Sequence, residues 1–292
     1  MPDPTDPPET WLPASSRAEA EAWSLVLSAE GILHRVGATE GRWFVGVESG
    51  SVARAQAHIA TWASENAPST APPAAPDPDL PTNAGFWIAV ALVAFFLVTG
   101  PWAPESAYFR RGAADAQRIL SGELWRIVTA LSLHSDPAHV LGNAFSCAVF
   151  GTLLLRRYGV GLGAWLLLAS GALGNLLSAV WEQSMYRSVG ASTALFGAIG
   201  ALAATELVRR RRLALGWNQA WLPIAGGIAL LAMLGTGRGS DLTAHVMGLA
   251  CGAGLGFVAA RAITSPPPPG MQAALAMLAL AAVALAWTAA LG

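Results

Sequence analysis

The chain has no lysine, only two cysteines and few charges of either sign: 12% of its 292 residues are charged, against 54% hydrophobic. A soluble domain carries about 25% charged residues, so the composition predicts a polytopic membrane protein. Cys147 and Cys251 cannot build a disulfide framework or a cysteine zinc site. Both fall inside apolar runs, where a thiol acts as a small buried hydrophobe. All 17 basic residues are arginine, which reads as codon bias, and they cluster at the ends of apolar runs. That placement speaks against a nucleic-acid partner. The N-terminus "MPDPTDPPET" lacks the basic start and apolar core of a secretory signal, so the head is expected in the cytoplasm.

What is present divides the chain. Residues 1–66 are expected to form a small acidic α/β cytosolic domain: "SRAEAEAWSLVLSAEG" and "SVARAQAHIATWASEN" have helical spacing, and "ILHRVGA" and "RWFVGVES" read as strands. His34 and His58 inside it read as surface or packing residues. Residues 67–83 are a proline-rich linker. Seven apolar runs follow, at Ala84–Ala103, Pro137–Leu155, Val160–Trp181, Gly190–Val208, Ala220–Leu234, Leu242–Ala260 and Met271–Leu291. Each approaches the roughly 20 residues that cross a bilayer, which predicts seven transmembrane helices. Arg156–Arg157, Arg209–Arg212 and Arg261 end the second, fourth and sixth runs, so those ends are expected in the cytoplasm and the loop 104–136 outside.

Polar groups at membrane depth are costly, and each is therefore a candidate site. They are His139 and Asn143 in the second run, preceded by His134; Asn175 in the third; Ser192 and Thr193 in the fourth; Thr243 and His245 in the sixth. His139 and Asn143, four apart, share a helix face and together can donate to one developing oxyanion, or simply bond neighbouring helices. Gly248, Gly252 and Gly256, with Ala244 continuing the row, form a small-residue stripe; Gly197, Gly200, Ala201 and Ala204 form another. If these stripes face each other, His245 reaches Ser192 as a base reaches a serine nucleophile. The plainer reading is close packing with His245 as a hydrogen-bonding partner. Asp241 reads as a helix cap, which favours a dyad over a triad.

From these residues the chain resembles the rhomboid family of intramembrane serine proteases. "GASTALFG" is similar to its serine motif, "TAHVMGLACG" to its histidine-helix motif, "HSDPAHVLGN" to its pattern of two histidines and an asparagine, and "GELWRIVTALSLH" to its Trp-Arg loop segment. The resemblance implies a six-helix core over 84–262, with a linker and a seventh helix over 263–292. It implies Ser192 as nucleophile and His245 as general base, with His139, Asn143 and the Ser192 N–H as oxyanion hole. Trp125 and Arg126 match a structural loop motif, and His134 a structural histidine. It implies membrane-protein substrates cut near their outer ends, a bacterial inner-membrane location with a cytoplasmic N-terminus, and no metal or cofactor.

One departure stands out. The family commonly has glycine directly after the serine, where this chain has Thr193; a β-branched residue there is expected to alter the turn and narrow the substrate channel. Two rival classes remain: a rhomboid-like protein that binds membrane clients without cutting them, and a transporter, metal or haem site built from His134, His139 and His245. The second lacks inverted repeats and intramembrane carboxylates.

Overall fold

The structure is a computed structural model and describes residues 9–39, 41–66, 80–183, 187–213, 217–234, 241–263 and 265–292. The chain divides into two compact units, Met1–Pro73 and Ala74–Gly292.

In the first unit, the expected helices and strands form as α1 (Arg17–Ala29), β2 (His34–Thr39), β3 (Arg42–Glu48) and α2 (Val52–Glu65). Ser16 caps α1 by accepting from the Glu19 N–H. A further strand, β1 (Glu9–Ala14), pairs antiparallel with β3 and gives the sheet order β1-β3-β2. Nothing local announces β1, because its six residues follow a proline-rich stretch and include Pro13. A sheet edge tolerates that proline, and only the partner strand makes the segment extended. Leu12, Val45 and Val47 bury one face of the sheet against Ala20, Leu27, Ala55 and Ile59. His34 is held by the Ile32 carbonyl and the Ser24 hydroxyl, both at 2.8 Å, and His58 lies 3.6 Å from the Glu30 carboxylate.

The second unit is a helical membrane bundle. Helices form at all seven apolar runs: α3 (Ala84–Thr99), α4 (Pro137–Tyr158), α5 (Val160–Glu182), α6 (Ser192–Arg212), α7 (Trp217–Leu234), α8 (Leu242–Ala262) and α9 (Pro269–Leu291). Among the described residues, α4, α5, α8 and α9 are long and apolar enough to cross a membrane, while α3 and the apolar part of α7 are shorter. The first run ends earlier than its hydrophobicity suggests, at Thr99, because Gly100 turns the chain at φ 71° before Pro101. The fourth starts later, at Ser192, because Gly190 has φ 129°. Its arginine end extends the helix to Arg212, since long side chains carry charge away from an apolar neighbourhood. α4 contains a π-helical turn over Cys147–Gly151.

Helix α6 lies inside the bundle, with Thr193 to Ala201 all buried. Its small residues suit that position, since they face protein at close range rather than lipid. A β-carbon at Gly252 would strike the Gly197 carbonyl, one at Gly248 the Thr193 carbonyl, and one at Gly256 the backbone of Ala201. The two stripes read from the sequence therefore lie against each other.

Candidate active site

Ser192 is the first residue of α6, and His245 lies in the first turn of α8. Asp241 caps α8 by accepting the Ala244 N–H at 2.9 Å, which sets where the helix begins and hence the height of His245. With α6 and α8 in backbone contact, the Ser192 hydroxyl reaches His245 Nε2 at 2.8 Å. Phe196, one turn below Ser192, lies against the imidazole with ring centroids 4.6 Å apart. It limits the ring's freedom and shields one of its faces.

Both side chains line a cavity of about 670 Å³ whose wall also contains His139, Asn143, Trp102, Phe150 and Arg187. Asp136 caps α4 through the His139 N–H at 2.9 Å, with Pro137 at the first position, so the helix places His139 and Asn143 one turn apart. Ser135 meets His139 Nδ1 with its backbone N–H at 3.4 Å and its hydroxyl at 2.9 Å. The Ser135 hydroxyl donates to the Asp136 carboxylate at 2.7 Å, so the role of Nδ1 toward that oxygen follows the ring's tautomer. Asn143 Nδ2 is buried and has no hydrogen-bond partner among the described residues. Gly190 faces this pair: a β-carbon there would stand 2.7 Å from His139 Nε2 and 3.4 Å from Asn143 Nδ2. A side chain at 190 would occupy the space where the two groups converge.

The loop before α4 forms a frame around these residues. The Arg126 guanidinium is buried and donates to the carbonyls of Ala113 at 2.8 Å and Arg110 at 2.9 Å, and to the Glu123 carboxylate at 2.7 Å. Trp125 donates to the Arg111 carbonyl at 3.1 Å. These contacts are structural, and neither side chain lines the cavity. Asn175 donates to the Ile127 carbonyl, so this polar group of the third run holds the loop and not the site. A short strand pair, β4 (Ala114–Asp115) with β5 (Arg187–Ser188), ties the loop to the segment before Ser192. The fully buried His134 accepts the Ala191 N–H at 3.4 Å.

Electrostatics follow from these bonds. Burial, with repulsion from His139, lowers the His134 imidazole to about 4, so it is neutral at physiological pH. The His139 N–H and the Ser135 hydroxyl hold Asp136 below the usual carboxylate range. Burial works against Asp115, yet the Arg118 N–H and the Arg187 side chain outweigh it and lower that group too.

The expectation for Thr193 is corrected. Its side chain does not line the cavity; it is buried in the seam between α5 and α8, with its methyl against Gly174 and Gly248. A β-carbon at Gly174 would come within 2.6 Å of that methyl, so glycine at 174 provides the room that threonine at 193 needs. Sequence reasoning also missed Phe196, Ser135 and Arg187 as neighbours of the site. The first has a usable signal, four positions after Ser192 on one helix face. The other two have none, since loop packing alone places them. His134 and His139 have ring centroids 5.1 Å apart, but among the described residues no three His, Cys, Asp or Glu side chains group closely enough to share a metal ion.

A half-buried serine and a buried histidine at hydrogen-bond distance, at one end of a bundle of apolar helices, define a polytopic membrane protein with a hydrolase-type dyad geometry. Residues 121–262 match the family model of the Rhomboid domain. This match and the chain's relatives support a rhomboid family protein. It is 35% identical over 133 residues to Rhomboid protease GluP of Bacillus subtilis, a match covering 45% of this chain and 26% of that protein. It is 35% identical over 157 residues to RHOMBOID-like protein 6, mitochondrial, of Arabidopsis thaliana, covering 53% and 50%. Rhomboid-like protease 3 of Toxoplasma gondii is 32% identical over 175 residues, covering 58% and 66%. The matched region thus spans from about a quarter to about two thirds of these relatives' lengths.

Proposed function

We propose that the protein is an intramembrane serine endopeptidase that cleaves transmembrane segments of other membrane proteins near their outer ends. The observation that carries this reading is the 2.8 Å Ser192–His245 contact inside a cavity shared with His139 and Asn143. His245 Nε2 takes the Ser192 proton as Oγ attacks the scissile carbonyl. The tetrahedral oxyanion accepts from His139 Nε2, Asn143 Nδ2 and the Ser192 N–H, the second of which has no competing partner among the described residues. His245 passes the proton to the leaving amine. Water, activated by the same imidazole, then releases the acyl half and restores the hydroxyl.

The substrates are single-pass or multi-pass membrane proteins. A helical segment hides its carbonyls in hydrogen bonds, so glycine, proline or small polar residues near the cut ease local unwinding. The arginine-rich helix ends support a cytoplasmic N-terminus, with the dyad then toward the outer face of a bacterial inner membrane in this reading. In this reading residues 84–262 are the catalytic core, 67–83 a linker from the acidic head at 1–66, and 263–292 the segment carrying the seventh helix.

The test is cleavage of a rhomboid-type transmembrane reporter by full-length protein in proteoliposomes, with labelling by a fluorophosphonate alongside. Cleavage and labelling are both expected for the wild type and absent in Ser192→Ala. Equal cleavage by the two proteins overturns the proposal. Substrate capture without cleavage or labelling replaces it with a client-binding role.

A further inference from the structure

We infer that the seventh helix is part of the catalytic scaffold, with Trp287 as a positioning residue that acts through the loop 129–134 on the turn preceding Ser192. The inference rests on the serine-hydrolase reading of the site. Helix α9 is bound at both ends. At one end the Gln272 carboxamide accepts the backbone N–H groups of Gly161 at 2.8 Å and Leu162 at 3.0 Å, two otherwise unsatisfied donors at the start of α5. It also donates to the Tyr158 carbonyl at 2.8 Å. One turn on from Gln272, the Trp165 indole donates to the Leu275 carbonyl at 2.9 Å.

The other end of α9 meets the loop that frames the site. The Trp287 indole packs on Phe95 and Tyr108, at centroid distances of 5.2 and 5.9 Å, and fills the space that a side chain at 112 would need. Its N–H donates to the Ser132 hydroxyl at 3.0 Å, and that hydroxyl donates to the Thr129 carbonyl at 2.8 Å. Arg111 reaches the Ala290 carbonyl at 3.3 Å. The same short loop holds the residues before the nucleophile from the other side: the Ala130 carbonyl accepts the Gly190 N–H at 2.9 Å, and His134 Nε2 accepts the Ala191 N–H. Gly190 and Ala191 set the direction of the Ser192 N–H and the floor beneath His139 and Asn143. Trp287 touches none of the reacting atoms, and its influence travels through Ser132 and the loop backbone. A helix appended to a six-helix core is thereby made a support for the oxyanion hole.

The experiment compares Trp287→Phe, which keeps the ring packing and loses the N–H, with Ser132→Ala, which loses the acceptor, and with their double variant. All are full-length proteins in proteoliposomes. Trp165→Phe, which removes another indole bond to α9 away from the loop, is the control. For Trp287→Phe and Ser132→Ala, kcat for the reporter falls about threefold to tenfold with KM unchanged, the range expected for one hydrogen bond. The double variant is no worse than either single one, and Trp165→Phe keeps wild-type kcat. Hydrogen exchange at residues 129–134 and 189–191, which needs no substrate, rises in Trp287→Phe. An unchanged kcat, an equal loss in Trp165→Phe, or unchanged exchange at these amides overturns the inference. Failure of the wild type to cleave the reporter overturns the function reading instead, and the exchange result then decides the coupling by itself.

Discussion

Ser192 Oγ and His245 Nε2 meet at 2.8 Å although 53 positions separate them in the chain. The meeting depends on residues that have no side chain. Gly248 lies against the Thr193 carbonyl and Gly252 against the Gly197 carbonyl, and any larger group at either position forces α6 and α8 apart.

Gly252→Val is therefore expected to cut reporter cleavage by about 100-fold, the cost of roughly 1 Å of misplacement between reacting groups, and to lower the melting temperature. Gly254 on the same helix has open space where a β-carbon would go. Gly254→Ala should cleave like the wild type and melt no lower, because alanine is the better helix former. Cleavage rates and melting curves of the two variants check the contrast. Equal behaviour would remove the stripe from the argument.

Asn143→Ala should lower kcat by about 100-fold to 1,000-fold, the usual cost of removing one oxyanion donor. Its melting temperature should not fall with it, because Asn143 Nδ2 makes no hydrogen bond among the described residues in the resting site. Steady-state kinetics and a thermal melt on one preparation test both halves. A matching loss of stability would make Asn143 a packing residue.

Thr193→Gly, which restores the family's commoner residue, should leave cleavage within a few-fold of wild type because the side chain lies outside the cavity. It should cost about 0.3 kcal/mol through the poorer helix propensity of glycine relative to threonine, with a larger loss from the missing methyl contact. Gly174→Ala should destabilise more, since its new carbon meets the Thr193 methyl at 2.6 Å. Combining the two should recover part of that loss, as expected for residues in contact. Chemical or thermal unfolding of the four proteins gives the coupling, and simple additivity would count against the pairing.

The buried His134 gives a pH prediction. Its folded value of about 4 lies below the ordinary 6.5, so below pH 6.5 the unfolded chain binds the proton more readily than the folded one. This contribution is flat above pH 6.5, declines by at most about 1.4 kcal/mol per pH unit as pH falls, and levels off below 4. His134→Gln should show a shallower decline of melting temperature between pH 7 and pH 4.5 than the wild type. Parallel curves would mean that His134 titrates normally.

Much of the architecture was legible because membrane burial leaves local marks. Twenty-residue apolar runs, arginines at their ends and polar groups stranded inside them each follow from the cost of placing charge in hydrocarbon, which any window of sequence can report. The two glycine stripes were legible for a similar reason, since helical periodicity tells which residues share a face. The resemblance to rhomboids then assigned roles to Ser192, His245, His139 and Asn143. The structure places Ser192 against His245, and all four around one cavity.

What sequence could not supply depends on contacts between segments far apart. β1 is a strand only because β3 offers it partners, and its own residues carry no alternation. Whether Thr193 narrows the channel depends on Gly174, nineteen positions earlier on another helix, which makes room for its methyl. The bond between Trp287 and Ser132 spans 155 positions and leaves no local trace. Composition and periodicity determined that this is a helical membrane protein with a serine, two histidines and an asparagine at one depth. Packing decided which of them touch, because a hydrogen bond depends on tenths of an ångström and only the assembled helices define those.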